Sequence, residues 1–213
     1  MIIEAVCPSL NRPDELARLE ASLPDGVLWR PGIETQPRAL TTCVNELVRT
    51  SAADVVVVLA DHIEVLPGCF DAIADDFTYA FPSLDGMVGL NITNMEPKEG
   101  IREYCFFAVG RKFLKRFPVG EDTGVYGTIF CPDYYHFSGD TELGEYAHGE
   151  GVFCFNEDAE IKTWHPNVGN AKRDDTNRAS RVNINQDAEM RCKRKAAGYL
   201  WGNTFDLIEG NYG

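Results

Sequence analysis

A chain of 213 residues, 44% hydrophobic and 25% charged, is long and apolar enough to bury one ordinary core, which excludes a disordered or fibrous chain. Its formal net charge of −13 disfavours nonspecific binding to nucleic acid or anionic membrane. No apolar run approaches the roughly 20 residues that span a bilayer, and "MIIEAVCPSL" has no basic leader region, so neither an integral membrane segment nor a signal peptide is expected.

The acidity is uneven. Residues 160–213 hold 9 Lys/Arg against 7 Asp/Glu, whereas residues 1–159 hold 11 against 26. Seven cysteines, odd in number and without CxxC spacing, point to reduced thiols acting as small buried filler in a cytoplasmic protein.

In chain order, "MIIEAV" reads as a short strand. In "CPSLNRPDELARLEASLP", Asn11 suits a helix N-cap, Pro13 a first turn, and Asp14 and Glu15 the positive end of the helix dipole. Leu16, Leu19 and Leu23 then recur at helical spacing. "GVLW" is a second candidate strand. Leu40, Cys43, Val44, Leu47 and Val48 fall at i, i+3, i+4, i+7 and i+8, which predicts an amphipathic helix. "VVVVL" follows as a strand buried on both faces, then the loop "LADHIE", a Pro-Gly helix start at "PGCFDAIADDF", and a strand at "GMVGLNI". Alternating strands and helices imply a parallel sheet covered by helices. In such sheets ligands bind outside the carboxyl ends of the strands, where "LADHIE" lies.

Beyond residue 101 the pattern becomes an aromatic strand in "REYCFFAVG", a basic segment "GRKFLKRF", a short helix from Thr141 to His148, and two strand-like stretches, "GVFCF" and "AEIKTWH". "NQDAEMRCKRKAAG" predicts a polar C-terminal helix stopped by Gly198. There is no repeat, low-complexity linker or glycine-rich phosphate loop.

Three places carry groups suited to chemistry. Asp61 and His62, with Glu64 two residues on and expected to face solvent, sit at the end of a core strand and read either as an ordinary turn or as ligands to a divalent cation. Asp140, with Glu142, opens a helix and reads either as a cap or as a general base. His165 in "TWHP" reads as a packed edge residue or a ligand. Arg111, Lys112, Lys115 and Arg116, like "RCKRK" (191–195), are either solvated faces or contacts for a diphosphate or anionic acceptor. Tyr134, Tyr135, His136 and Trp164 suit core packing or an aromatic platform.

In order and spacing these elements resemble one family, the family-2 glycosyltransferases of the GT-A fold. "VCPSLNRPDELARLEASLP" resembles that family's opening strand, Asn-Arg turn and first helix. "VVVVLADHIEVLPGCFDAI" resembles the strand bearing its DxD-type metal motif. "GDTELGEYAHGEGVFCFNEDAEIKTWH" resembles its block running from catalytic acid to histidine.

The resemblance covers about residues 2–166. It implies a GT-A-like, Rossmann-like α/β three-layer sandwich with a mostly parallel central sheet and a C-terminal helical extension. The expected division is 1–95 as the nucleotide-sugar half, 96–170 as the acceptor and catalytic half, and 171–213 as the extension. By the same resemblance, Pro8, Asn11, Arg12 and Asp61 bind the donor, Asp61, His62 and His165 bind a divalent Mn2+ or Mg2+, and Asp140 is the base. Ala60 and His62 stand where the family has acids, and Gly139 where it has a glutamate.

The implied activity is transfer of a sugar from a nucleotide-sugar donor, by default a UDP-sugar, to an acceptor hydroxyl with inversion. The acceptor is a glycan, a lipid-linked saccharide, a protein or a modified DNA base. The alternatives are a non-catalytic GT-A scaffold that binds nucleotide or glycan, favoured by Ala60 and His62, and a sugar-nucleotide pyrophosphorylase. The latter lacks support because "PSLNRPDEL" has no glycine-rich basic loop.

Overall fold

A computed structural model of the chain describes residues 1–36, 38–95, 103–117, 127–166, 171 and 181–198. Seven strands form one sheet: β1 (Ile3–Ser9), β2 (Leu28–Ile33), β3 (Val55–Val58), β4 (Ile63–Val65), β5 (Met87–Ile92), β6 (Phe107–Gly110) and β7 (Phe153–Thr163), in the order β2-β1-β3-β6-β5-β7-β4. β1, β2, β3, β5 and β7 share one direction, and β6 and β4 run against them. The sheet is therefore mostly parallel, as expected. All four β3 valines are buried, the signature of a strand covered on both faces.

The covering helices are α1 (Pro13–Ser22), α2 (Leu40–Thr50), α3 (Cys69–Tyr79), a short α4 (Arg111–Leu114) and α5 (Gly139–Gly149). On one face Leu16 and Leu19 of α1 and Phe70, Ile73 and Phe77 of α3 pack on Val55, Val57 and Val88. On the other, Val44, Leu47 and Val48 of α2 and Leu143 and Tyr146 of α5 pack on Val56, Val58 and Phe107. Alternate β3 residues thus serve opposite cores, as a period of two requires, and the result is a three-layer sandwich. A polar helix α6 (Ile184–Ala196) follows, and Gly198 takes the left-handed conformation (φ 77°) just past its end, as its position predicts.

Four local expectations are corrected. Arg12, not Asn11, is the N-cap of α1, and Asn11 adopts φ 48° in the preceding turn, a conformation Asn tolerates better than most residues. "GVFCF" and "AEIKTWH" belong to one strand, β7. Its pairing with β5 slips between Leu90–Asn156 and Asn91–Glu160, and the Asn156 side chain accepts the Asp158 and Ala159 amides to shape the bulge. Ile63 and Glu64, read as loop, join Val65 in β4, antiparallel to Ile161–Thr163. The basic segments are not purely solvated faces. Arg116 pairs with Asp85 at 2.7 Å and Arg111 donates to backbone carbonyls of Ser51 and Ala53, while Arg191 and Lys195 pair with Glu145 and Arg194 with Glu142.

All seven cysteines are free; Cys7, Cys43, Cys69 and Cys131 are buried, Cys105 and Cys154 half-buried and Cys192 exposed. Among the described residues no helix is long and apolar enough to cross a membrane.

Gly144 lets α5 lie against Tyr104, since a Cβ there would come within 2.1 Å of the Tyr104 ring. Alanine in mid-helix gains up to ~1 kcal/mol over glycine, whereas overpacking costs ~1–3 kcal/mol. Gly144→Ala is therefore expected to lower stability, by about 1–2 kcal/mol in urea titration; a stabilised variant would contradict this packing.

Candidate active site

Because β1 and β3 are parallel neighbours, their carboxyl ends deliver residues 8–12 and 59–62 side by side. Antiparallel β6 begins at that same end of the sheet, which brings Cys105 and Phe106 alongside. β4 pairs with the end of β7, and the Trp164 amide donates to His62 O at 2.7 Å, so His165 arrives beside His62. α2, the segment 135–139 and the start of α5 close the other side.

These elements enclose a pocket of about 320 Å³ lined by Pro8, Arg12, Asp61, His62, Asp140 and His165, among others. Of the residues expected to act, Asn11 does not line it. The pocket draws on all three expected segments, since Arg181 and Ile184 also reach it.

Asp61 is the best-anchored group. Only 6% exposed, it accepts the Ser9 hydroxyl at 2.7 Å and Arg12 Nη1 at 2.8 Å. Burial alone would raise its pKa, but bonding to His62 and Ser9 and the Arg12 charge outweigh that and hold it below the usual carboxylate value. His62 Nδ1 lies 3.5 Å from Asp61 Oδ1, and the His62 and His165 rings are 5.1 Å apart. His136 lines the wall nearby. Burial holds its imidazole below the ordinary value, against the upward pull of the Asp187 carboxylate.

These groups bear on the expected cation. Among the described residues no three His, Cys, Asp or Glu side chains are arranged to hold a metal ion. The expected trio of Asp61, His62 and His165 is therefore adjacent without forming a three-ligand centre, because Asp61 is turned to Ser9 and Arg12. His62 and His165 place two imidazoles side by side, a donor type that suits Mn2+ better than Mg2+.

Asp140 stands elsewhere in the pocket, in the first turn of α5. Ser138 occupies the cap position with φ 71°, yet Asp140 Oδ1 accepts the Thr141 amide at 2.7 Å. Gly139 precedes it because a Cβ there would press on the Phe130 ring at 3.0 Å. Burial raises the Asp140 pKa, only partly offset by its bonds to Thr141 and Cys105, and burial with the Asp140 charge holds the Cys105 thiol well above its ordinary value.

Of the suggested aromatic platform, Tyr135 and His136 line the pocket, joined by Phe106 and Phe137. Tyr134 is core, its hydroxyl bonded to Glu142. Trp164 lies under Arg18 and donates to Glu64 at 3.1 Å, so Glu64 has a protein partner. Arg38, unforeseen in the sequence, lines the pocket and bonds Glu34 at 2.6 Å.

No protein-family model matches the chain, and no curated protein matches it. Solved structures do. The mannosyltransferase PcManGT from Pyrobaculum calidifontis, solved with GDP-Man and Mn2+, superposes with a TM-score of 0.58 over 92% of this chain at 12% identity. The chain spans 64% of that protein's length. A point variant of Drosophila β-1,4-galactosyltransferase 7, solved with manganese, UDP-Gal and xylobiose, gives 0.51 over 85% of this chain and 80% of that one, at 12% identity. TarS from S. aureus gives 0.50 over 76% and 59%, at 11% identity. The chain has the GT-A fold.

Asp140 also sets a stability test. The folded chain holds this proton more tightly than the unfolded chain, so stability falls as pH rises from the ordinary carboxyl value through the raised one, and the cost of the buried charge is complete above it. Asp140→Asn keeps the acceptor for Thr141 and removes that charge. Its Tm is expected to equal or exceed wild type at pH 7.5, with the advantage shrinking toward pH 3.5. A Tm deficit at neutral pH would contradict it.

Proposed function

We propose that the protein is a nucleotide-sugar-dependent glycosyltransferase acting by one inverting displacement, with Asp140 as general base. The observation that carries this reading is the shared pocket: one carboxylate whose proton affinity is raised by burial and, at the strand ends, the Arg12 guanidinium with the imidazoles of His62 and His165. A nucleoside diphosphate leaves readily only where its growing negative charge is met by positive groups. Attack by a hydroxyl needs a base within hydrogen-bond reach.

In this arrangement Pro8 and Arg12 border the donor and the Arg12–Asp61 pair fixes the floor. His62 and His165 would hold a divalent cation, which when bound supplies Lewis-acid neutralisation of the diphosphate. Asp140 takes the acceptor's proton as the new bond forms at the anomeric carbon and the bond to the diphosphate oxygen breaks, releasing the nucleoside diphosphate. Burial raises the Asp140 pKa, which makes it a stronger base than a solvated carboxylate. Two fold neighbours hold GDP-Man or UDP-Gal together with manganese, which supports a sugar nucleotide and Mn2+ here. A UDP-sugar is the first donor to try, and free thiols fit a cytoplasmic setting.

A second reading, a GT-A scaffold that binds without turnover, is favoured by Ala60 and His62, which stand where the family-2 pattern has acids. Donor hydrolysis separates the two. With Mn2+ and a panel of UDP-Gal, UDP-Glc and GDP-Man, the wild type is expected to release nucleoside diphosphate from at least one donor, and transfer to acceptor is expected to fall at least about 100-fold in Asp140→Asn with donor binding retained. Donor binding without turnover under any metal and across a broad acceptor panel would select the scaffold.

A further inference from the structure

The pocket wall 135–137 belongs to a segment, 127–138, that lies outside every helix and strand. Its buried N–H and C=O groups must find partners elsewhere. α2 supplies one set. Asn45 accepts the Phe130 amide at 2.9 Å and donates to Phe130 O at 2.8 Å, the Leu40 amide donates to Tyr135 O at 2.7 Å, and the Thr41 hydroxyl donates to Tyr134 O.

The other set comes from a single side chain. The amides of Tyr135, His136 and Phe137 donate to the Asp187 carboxylate at 2.9, 2.8 and 2.7 Å. Consecutive amides around one anion form a nest, and bonds to an ionised acceptor are roughly twice as strong as neutral ones. Asp187 is 1% exposed and stands in the first turn of α6, where the helix dipole also favours a carboxylate.

α6 is also tied to the sandwich by other contacts. Arg194 already binds Glu142 at 2.7 Å and Arg191 binds Glu145 at 2.6 Å, both on α5. Asp187 instead grips the backbone of three residues that line the pocket, just before Ser138 turns at φ 71° into the helix bearing Asp140.

We propose that Asp187 is a positioning residue for the reaction: by gathering the 135–137 amides it sets the pocket wall and the point from which Asp140 projects. This rests on the glycosyl-transfer reading above. C-terminal sequence beyond the sandwich thereby enters the site through the backbone it holds rather than by touching substrate.

The test compares Asp187→Asn, which keeps the side-chain shape but turns one acceptor oxygen into an NH2 facing N–H groups, with Arg191→Met, which loosens α6 at its pairing with Glu145 of α5. Donor turnover and hydrogen exchange are read for both. Asp187→Asn is expected to lower kcat at least tenfold with donor KM changed less than threefold, and to speed exchange at 135–137 at least tenfold. Arg191→Met is expected to lower Tm yet keep kcat and those exchange rates within about twofold.

Equal kcat losses in the two variants, or an unchanged kcat in Asp187→Asn, overturn the proposal. Should Asp187→Asn fail to fold, wild-type exchange decides it: slow exchange at 135–137 supports the grip, and exchange as fast as an open loop overturns it. A wild type that turns over no donor overturns the glycosyl-transfer reading itself, a result distinct from an active wild type with indifferent variants.

Discussion

A carboxylate nearly out of water at the end of a parallel sheet is costly unless it is paired, and the pocket is organised around how Asp61 meets that demand. Ser9 ends β1, Arg12 opens α1 and Asp61 follows β3, so the three can meet only if β1 and β3 are parallel neighbours in the observed register. Removing one partner from such a buried pair typically costs ~3–5 kcal/mol. The same contacts hold a guanidinium at the pocket floor and turn the Asp61 oxygens toward it. Asp61 thereby anchors a cation of the protein's own. His62 and His165, joined by the β4–β7 pairing, are left as the nitrogen donors at that end.

The opposite wall is built on another principle. Segment 127–138 has no ladder of its own, and its shape is imposed by polar side chains of two helices, Asn45 and Thr41 from α2 and Asp187 from α6. α5 then starts at a fixed place, with Gly139 against Phe130 and Gly144 against Tyr104. The regular sheet sets the end of the pocket that carries Arg12 and the imidazoles, and an irregular segment held from outside sets the end that carries the raised carboxylate. This division suits a reaction in which one end holds a leaving group and the other removes a proton.

Much of this was legible in the sequence where one local pattern dominates. Four valines can only be a buried strand, the α2 periodicity is unbroken, and Pro13 and Gly68 mark helix starts. The site residues of the strand ends and of "TWHP" were visible through their family-like spacing, and all but Asn11 line the pocket. What escaped depends on distant partners. β4 has three residues and exists only because β7 pairs with it. β7 looked like two strands because its bulge breaks the alternation. "RCKRK" carries no sign that Glu142 and Glu145 face it. Asp187 looks like any first-turn acid until the 135–137 amides are placed around it, and Arg38 reaches the pocket only through the packing of α2 beside β1.

The central claim is that Arg12 and the two imidazoles at the strand ends form a seat for a nucleoside diphosphate. Calorimetric titration of UDP and GDP with Mn2+, against uridine and guanosine as controls, tests it directly. One-to-one binding of at least one diphosphate is expected, with a dissociation constant within about 1 μM–1 mM, the usual range for enzyme ligands, and at least tenfold weaker binding of the matching nucleoside. No binding of either diphosphate, or a nucleoside that binds as tightly as its diphosphate, would contradict it.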